Sequence, residues 1–82
     1  MGAPDRDLET AIMETLRRAG EPVREAILFA RVTAGSNAAD PETFLAEVAR
    51  LETLGHLHAA FDHETPVRDP APFEPRYLRV VR

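Results

Sequence analysis

The stretch "RLETLGHLHAAF", Arg50 to Phe61, changes its apolar period from 3.6 to 2 across a single glycine and leaves no room for a loop. Leu51 continues a helical stripe begun by Phe44 and Val48, with Leu45 and Leu54 on its flanks. Gly55 supplies the left-handed residue that ends the helix. Leu57, Ala59 and Phe61 then point one way while His56, His58, Ala60 and Asp62 point the other, as in a strand with one wet face. A partner strand is predicted at "RYLRVV", Arg76 to Val81, where Leu78 and Val80 meet the first strand across an antiparallel pair. The intervening "ETPVRDPAPFEP", Glu64 to Pro75, holds four prolines and reads as a projecting, semi-stiff loop.

Upstream of this junction the chain reads as helical. Leu8, Ile12 and Leu16, with Ala11, Thr15 and Ala19 beside them, define one face of a first helix over Asp5 to Ala19, capped by Asp5 or Asp7 and ended by Gly20. Glu21 to Val23 form an extended connector, because Pro22 biases its predecessor away from helix and offers no N–H. A second helix, Arg24 to Val32, is short and apolar nearly all round. Val23, Ala26, Ile27 and Ala30 share one of its faces, while Leu28 and Val32 project from the other with Phe29 at the edge. Thr33 to Asp40 reads as a loop. Asp40 as N-cap, Pro41 at the first helical position and Glu42 in the first turn then open the third helix.

The chain has 82 residues, enough for one modest core, and no cysteine, so packing alone must hold it. No run approaches the roughly 20 apolar residues of a membrane helix, and the acidic start "MGAPDRDLE" does not resemble a secretory signal, so a cytoplasmic protein without membrane contact is expected. Net charge is −4, which disfavours a polyanionic partner unless the cations, all of them arginine, gather on one face.

The order helix, extended connector, helix, helix and two-stranded hairpin resembles the winged helix-turn-helix family. The likeness is carried by "METLRRAGEPV", "FLAEVARLETLGHLH" and "RYLRVV", and most specifically by Leu51, Leu54, Gly55 and Leu57, similar to the L-x-x-L-G-x-L close of that family's recognition helix. The resemblance implies an α+β fold: a single three-helix winged-helix domain over residues 1–82, with an N-terminal arm at 1–4, a wing loop at 64–75 and a C-terminal β-hairpin. Two features depart from it. Arg24 stands where a Ser or Thr cap is usual, and the connection Thr33 to Asp40 exceeds a tight helix-turn-helix corner.

DNA-binding members place the third helix in the major groove and the wing on the backbone, which here implicates Thr43, Arg50, Arg68, Arg76 and Arg79. The residues themselves argue differently. The solvent face of the third helix should be Glu42, Ala46, Ala49, Arg50 and Thr53, with Thr43 and Glu47 at its edge, and the wing sets Arg68 against Glu64, Asp69 and Glu74. Arg50 is expected to form a helix-face ion pair with Glu47 or Glu42. The favoured expectation is therefore a non-catalytic binding and regulatory module acting through protein contacts or as a homodimer. Its expected contact residues are Leu28, Phe29 and Val32 on the second helix and the small-residue stripe Ala46, Ala49 and Thr53 on the third. The alternative is a DNA-binding transcriptional regulator acting as a dimer.

Catalysis is not expected. His56, His58 and Asp62 share a strand face but find no fourth metal ligand, and read as a wet sheet surface. Glu21 and Glu25 read as solubilising charge, and no phosphate loop or nucleophile motif occurs. No cofactor, metal or small-molecule substrate is implied.

Overall fold

A computed structural model describes residues 4–35, 39–62, 64 and 69–81. It contains three helices and a three-stranded antiparallel sheet: α1 (Pro4–Ala19), β1 (Val23–Arg24), α2 (Glu25–Ala34), α3 (Pro41–Thr53), β2 (Leu57–Phe61) and β3 (Arg76–Val80). The predicted α+β class and element order hold. The sheet is more than a hairpin, because the connector after α1 pairs as well, giving the strand order β1-β3-β2. Val23 lies opposite Leu78 on one side of β3, and Ala59 lies opposite Leu78 on the other, with Leu57 opposite Val80.

Glycine and carbonyl chemistry sets the helix ends. At Gly55, φ is +82°. Its N–H donates to the Glu52 carbonyl at 3.0 Å and the His56 N–H to the Leu51 carbonyl at 2.9 Å, the paired bonds of a Schellman close. The next residue starts β2, so the expected direct join of α3 to the strand is present. Gly20, at φ +68°, ends α1 in the simpler way, its N–H donating to the Leu16 carbonyl at 3.3 Å. At the other end of α3 the Asp40 carboxylate accepts the Thr43 N–H at 2.8 Å, as a cap should. By contrast α1 begins at Pro4, so Asp7 lies inside its first turn.

One core joins every element: Leu8, Ile12, Met13 and Leu16 of α1, Leu28 and Val32 of α2, Phe44, Val48 and Leu51 of α3, and Val23, Leu57 and Leu78 of the sheet. Each such side chain contributes about 1.5–3 kcal/mol by leaving water. The rotation of α2 about its axis differs from the one expected. Leu28 and Val32, expected to project outward, are 0% and 3% exposed, while Ile27, expected on the inner face with Ala26 and Ala30, is 47% exposed. A ten-residue helix that is apolar nearly all round does not fix its own rotation. The larger Leu28 and Val32 bury more surface than Ala26 and Ala30, and they turn toward the core shared with α1.

The proline-rich stretch also departs from the expected course. Residues 65–68 fall outside the described set, but 69–75 fold down onto the helices instead of projecting. Phe73 packs against Phe29 and Phe44, with ring centroids 5.0 and 6.1 Å away, and Phe29 meets Phe44 edge-on at 5.1 Å. A turn closed by the Phe73 N–H on the Pro70 carbonyl delivers that ring. Phe29, expected at the edge of a partner surface, is thus half-buried in an aromatic trio that ties α2, α3 and the returning segment together.

Candidate interaction surfaces

The exposed flank of α3 carries little free positive charge. Arg50 donates from Nε to Glu47 Oε1 at 3.1 Å, and from Nη2 both to Glu47 and, at 2.8 Å, to Glu9 of α1. Those carboxylates, Glu47 foremost, push its guanidinium pKa still further above the ordinary range. The expected Arg50–Glu47 pair is therefore present, with Glu47 nearly buried beneath the arginine instead of at a solvent edge. Thr43, Ala46, Ala49 and Thr53 are exposed as expected, in company with Glu42 and Glu52.

The segment between β2 and β3 is held by two adjacent residues of opposite charge. Arg24 and Glu25 are 8% and 0% exposed, and each reaches the segment that returns toward β3. Arg24 Nε donates to both oxygens of Asp69 at 2.9 and 3.1 Å, and Nη1 donates to Asp62 at 2.9 Å and to the Tyr77 hydroxyl at 3.3 Å. Hydrogen bonds to Asp69, then Asp62, then Tyr77 drive the Arg24 pKa upward. Glu25 accepts the Glu74 N–H at 3.0 Å and Arg76 Nε at 2.6 Å, and Arg76 approaches Glu52 at 3.8 Å. The unusual arginine at the start of the second helix thus makes no cap hydrogen bond and serves a buried cluster instead. Glu25, read as solubilising charge, is a fully buried ion-pair partner. Asp62, on the face shared with His56 and His58, is bound to Arg24. Among the described residues no three His, Asp or Glu side chains gather as metal ligands would.

Of the arginines that the resemblance would place against DNA, Arg50 and Arg76 each face two carboxylates, and Arg68 lies outside the described residues. Arg79 differs. It is exposed and forms no ion pair among the described residues, like Arg17 and Arg31. These three arginines surround Pro22, where three shallow grooves meet. One of about 470 Å³ runs past Leu16, Arg17, Glu21, Arg79 and Val80. A second, of about 400 Å³, crosses the outer sheet face over His58, Ala60, Tyr77 and Arg79. The third, about 210 Å³, leads past Ile27 and Arg31 of α2. Sequence reasoning missed this face because its residues come from α1, the connector, α2 and both long strands.

Searches with this chain found no matching protein-family model, no matching curated protein and no matching solved structure. Among the described residues no helix is long and apolar enough to cross a membrane.

Proposed function

We propose that this chain is a non-catalytic binding and regulatory module of the winged-helix type, whose principal contact is with protein. The element order and the glycine-closed junction of α3 with β2 are compatible with that architecture. One observation carries the functional reading: two of the arginines that a DNA-binding winged helix would present, one on the third helix and one at the base of the hairpin, are engaged by internal carboxylates, which leaves Arg79 as the one exposed without an ion pair among the described residues. Arg50 is held by Glu47 and Glu9, and Arg76 by Glu25. A cation already paired with a carboxylate releases few counterions on meeting a phosphate, so the main source of affinity for duplex DNA is weakened. The exposed carboxylates of Glu42 and Glu52 on the same element would repel the backbone further.

Leu28, Phe29 and Val32 lie inward, so they do not form the contact surface. The surfaces left to a protein partner are the exposed Ala46, Ala49 and Thr53 stripe and the groove system around Pro22. Light scattering together with an electrophoretic shift against mixed duplex DNA, at ~0.05 and ~0.2 M salt, tests this reading. The expected result is no salt-steep shift of duplex DNA. A monomer that shifts DNA with affinity falling steeply between the two salt concentrations overturns it.

A further inference from the structure

Resting on that reading, we infer that the Pro22-centred face binds an acidic peptide segment of a partner protein. Partner carboxylates would meet Arg17 and Arg79, and an apolar side chain would sit on Pro22, Ala60 and Tyr77. Charge complementarity selects this occupant. Arg24, Arg50 and Arg76 each have two carboxylate partners inside the fold, and Arg18 approaches Glu14 at 3.8 Å. Among the described side chains, the arginines without a carboxylate are Arg17, Arg31 and Arg79, and all three line the grooves that meet at Pro22. In a chain of net charge −4, unpaired cations collected on one side form a local field of the opposite sign to the whole.

The floor between these arginines suits a peptide. Pro22 lacks an N–H, Ala60 and Tyr77 lie opposite each other on paired strands, and His58 lies opposite Arg79. This places an apolar strip beside guanidinium groups that can hold carboxylates through two parallel bonds. Tyr77 is fixed in place, its hydroxyl accepting from Arg24 and its ring lying 5.5 Å from the same guanidinium. Glu21 lines two of the three grooves and is the carboxylate that opposes this charge pattern at close range. A polyanion with charge at every step would run from the arginines onto Glu21 and the acidic remainder of the molecule. A short segment with a few carboxylates would not, so peptide is favoured over single-stranded nucleic acid.

The test is fluorescence anisotropy with three labelled probes: a short peptide alternating Glu and Leu, the same peptide with Lys replacing Glu, and oligo(dT). The Glu peptide is expected to bind, weakening as salt rises from ~0.05 to ~0.5 M, and the Lys peptide is not. Arg79→Glu and Arg17→Glu should each weaken the Glu peptide about tenfold or more, while Arg18→Glu, an equal change in net charge outside the grooves, changes it less than about twofold. Ala60→Glu probes the strip without touching an arginine and should also weaken binding, with circular dichroism confirming that each variant folds. Equal losses from Arg18→Glu and Arg79→Glu, binding of oligo(dT) but not of the Glu peptide, or no binding of either overturns the inference. In those cases the protein-contact reading still stands unless duplex DNA shifts with steep salt dependence, a separate measurement.

Discussion

Arg24 and Arg50 each hold two carboxylates, yet the two clusters differ in almost every physical respect. Arg24, Asp62 and Asp69 have side chains 9%, 9% and 6% exposed, and the arginine reaches across 38 and 45 residues to find them. Arg50 is 46% exposed; its partner three residues away, Glu47, is buried beneath it at 4%, and its other partner, Glu9 of α1, is 36% exposed. With Glu25 and Arg76 next to it, the first cluster decides where the proline-rich segment returns and hence how β3 is fed into the sheet. The second adds one solvent-exposed tie from α3 to Glu9 of α1 and chiefly neutralises a surface. Long-range, dry pairs of this kind specify geometry, because leaving either partner alone strands a charge away from water. Local, wet pairs set the sign of the field that an approaching partner meets.

The largest effect should follow from emptying the dry cluster. Glu25→Ala removes a side chain with no exposed surface, leaving Arg76 largely buried and the Glu74 N–H without its acceptor. A loss of about 3 kcal/mol is expected, a large share of the roughly 5 kcal/mol available to a domain this small. Urea denaturation measures it. Glu25→Gln should recover part of that loss by keeping an acceptor without the charge. If Glu25→Ala proved no more damaging than Arg50→Ala, the contrast between the clusters would fail.

Next in size is Phe73→Ala, expected to cost about 2 kcal/mol because the ring is only partly buried although it bridges Phe29 and Phe44. Its sharper signature lies in amide exchange. Loosening of the segment should speed exchange at Phe73 and Glu74, whose N–H groups are held by Pro70 and Glu25, more than in the middle of α1. Uniform acceleration across the chain would show that the segment unfolds only with the whole molecule.

The same contrast explains what the sequence made legible. The α3–β2 junction was readable because a glycine, a change of period and two leucines lie within a few residues of one another. The start of α3 was readable because Asp40, Pro41 and Glu42 act on neighbouring backbone groups, and Arg50–Glu47 because three residues along a helix is contact distance. The rotation of α2 was not, since "AILFARV" has no polar side to mark the outside. Nor was the burial of Glu25, whose partners lie 49 and 51 residues away. Two residues do signal these contacts: an arginine where a capping hydroxyl is usual, and a phenylalanine in the middle of a proline-rich stretch, an apolar ring that a projecting loop would leave in water. The Pro22 face had no linear signature at all, because Arg17, Pro22, Ile27, Ala60 and Arg79 become neighbours only when β1 and β2 take opposite sides of β3.

On the wet side, Arg50→Ala is expected to change stability much less than Glu25→Ala. The arginine covers Glu47, so removing it lets water reach the carboxylate where the helix flank faces solvent. The residual cost should shrink in ~1 M salt, where exposed pairs are screened and buried ones much less so. A cost that salt leaves unchanged would move Arg50 into the same class as Arg24.

The smallest effect concerns the charge that opens α3. Asp40 accepts the Thr43 N–H, and hydrogen bonding from Thr43 holds its carboxyl below the ordinary aspartate range. A carboxylate with a depressed folded pKa stabilises the fold above its unfolded value, near 3.9, and loses that contribution as pH falls through the lower folded value. Asn caps a helix about as well but does not titrate. The stability difference between wild type and Asp40→Asn should therefore be constant above about pH 5 and shrink steadily between about pH 4 and pH 2, as read by denaturant midpoints at each pH. Arg24 contributes nothing to that window. Its pKa is raised, so its share of stability is complete below the unfolded arginine value and would be lost only in strong alkali. A difference that stays flat down to about pH 2 would mean that the Thr43 hydrogen bond favours the carboxylate no more than water does, and the cap would then rest on geometry alone.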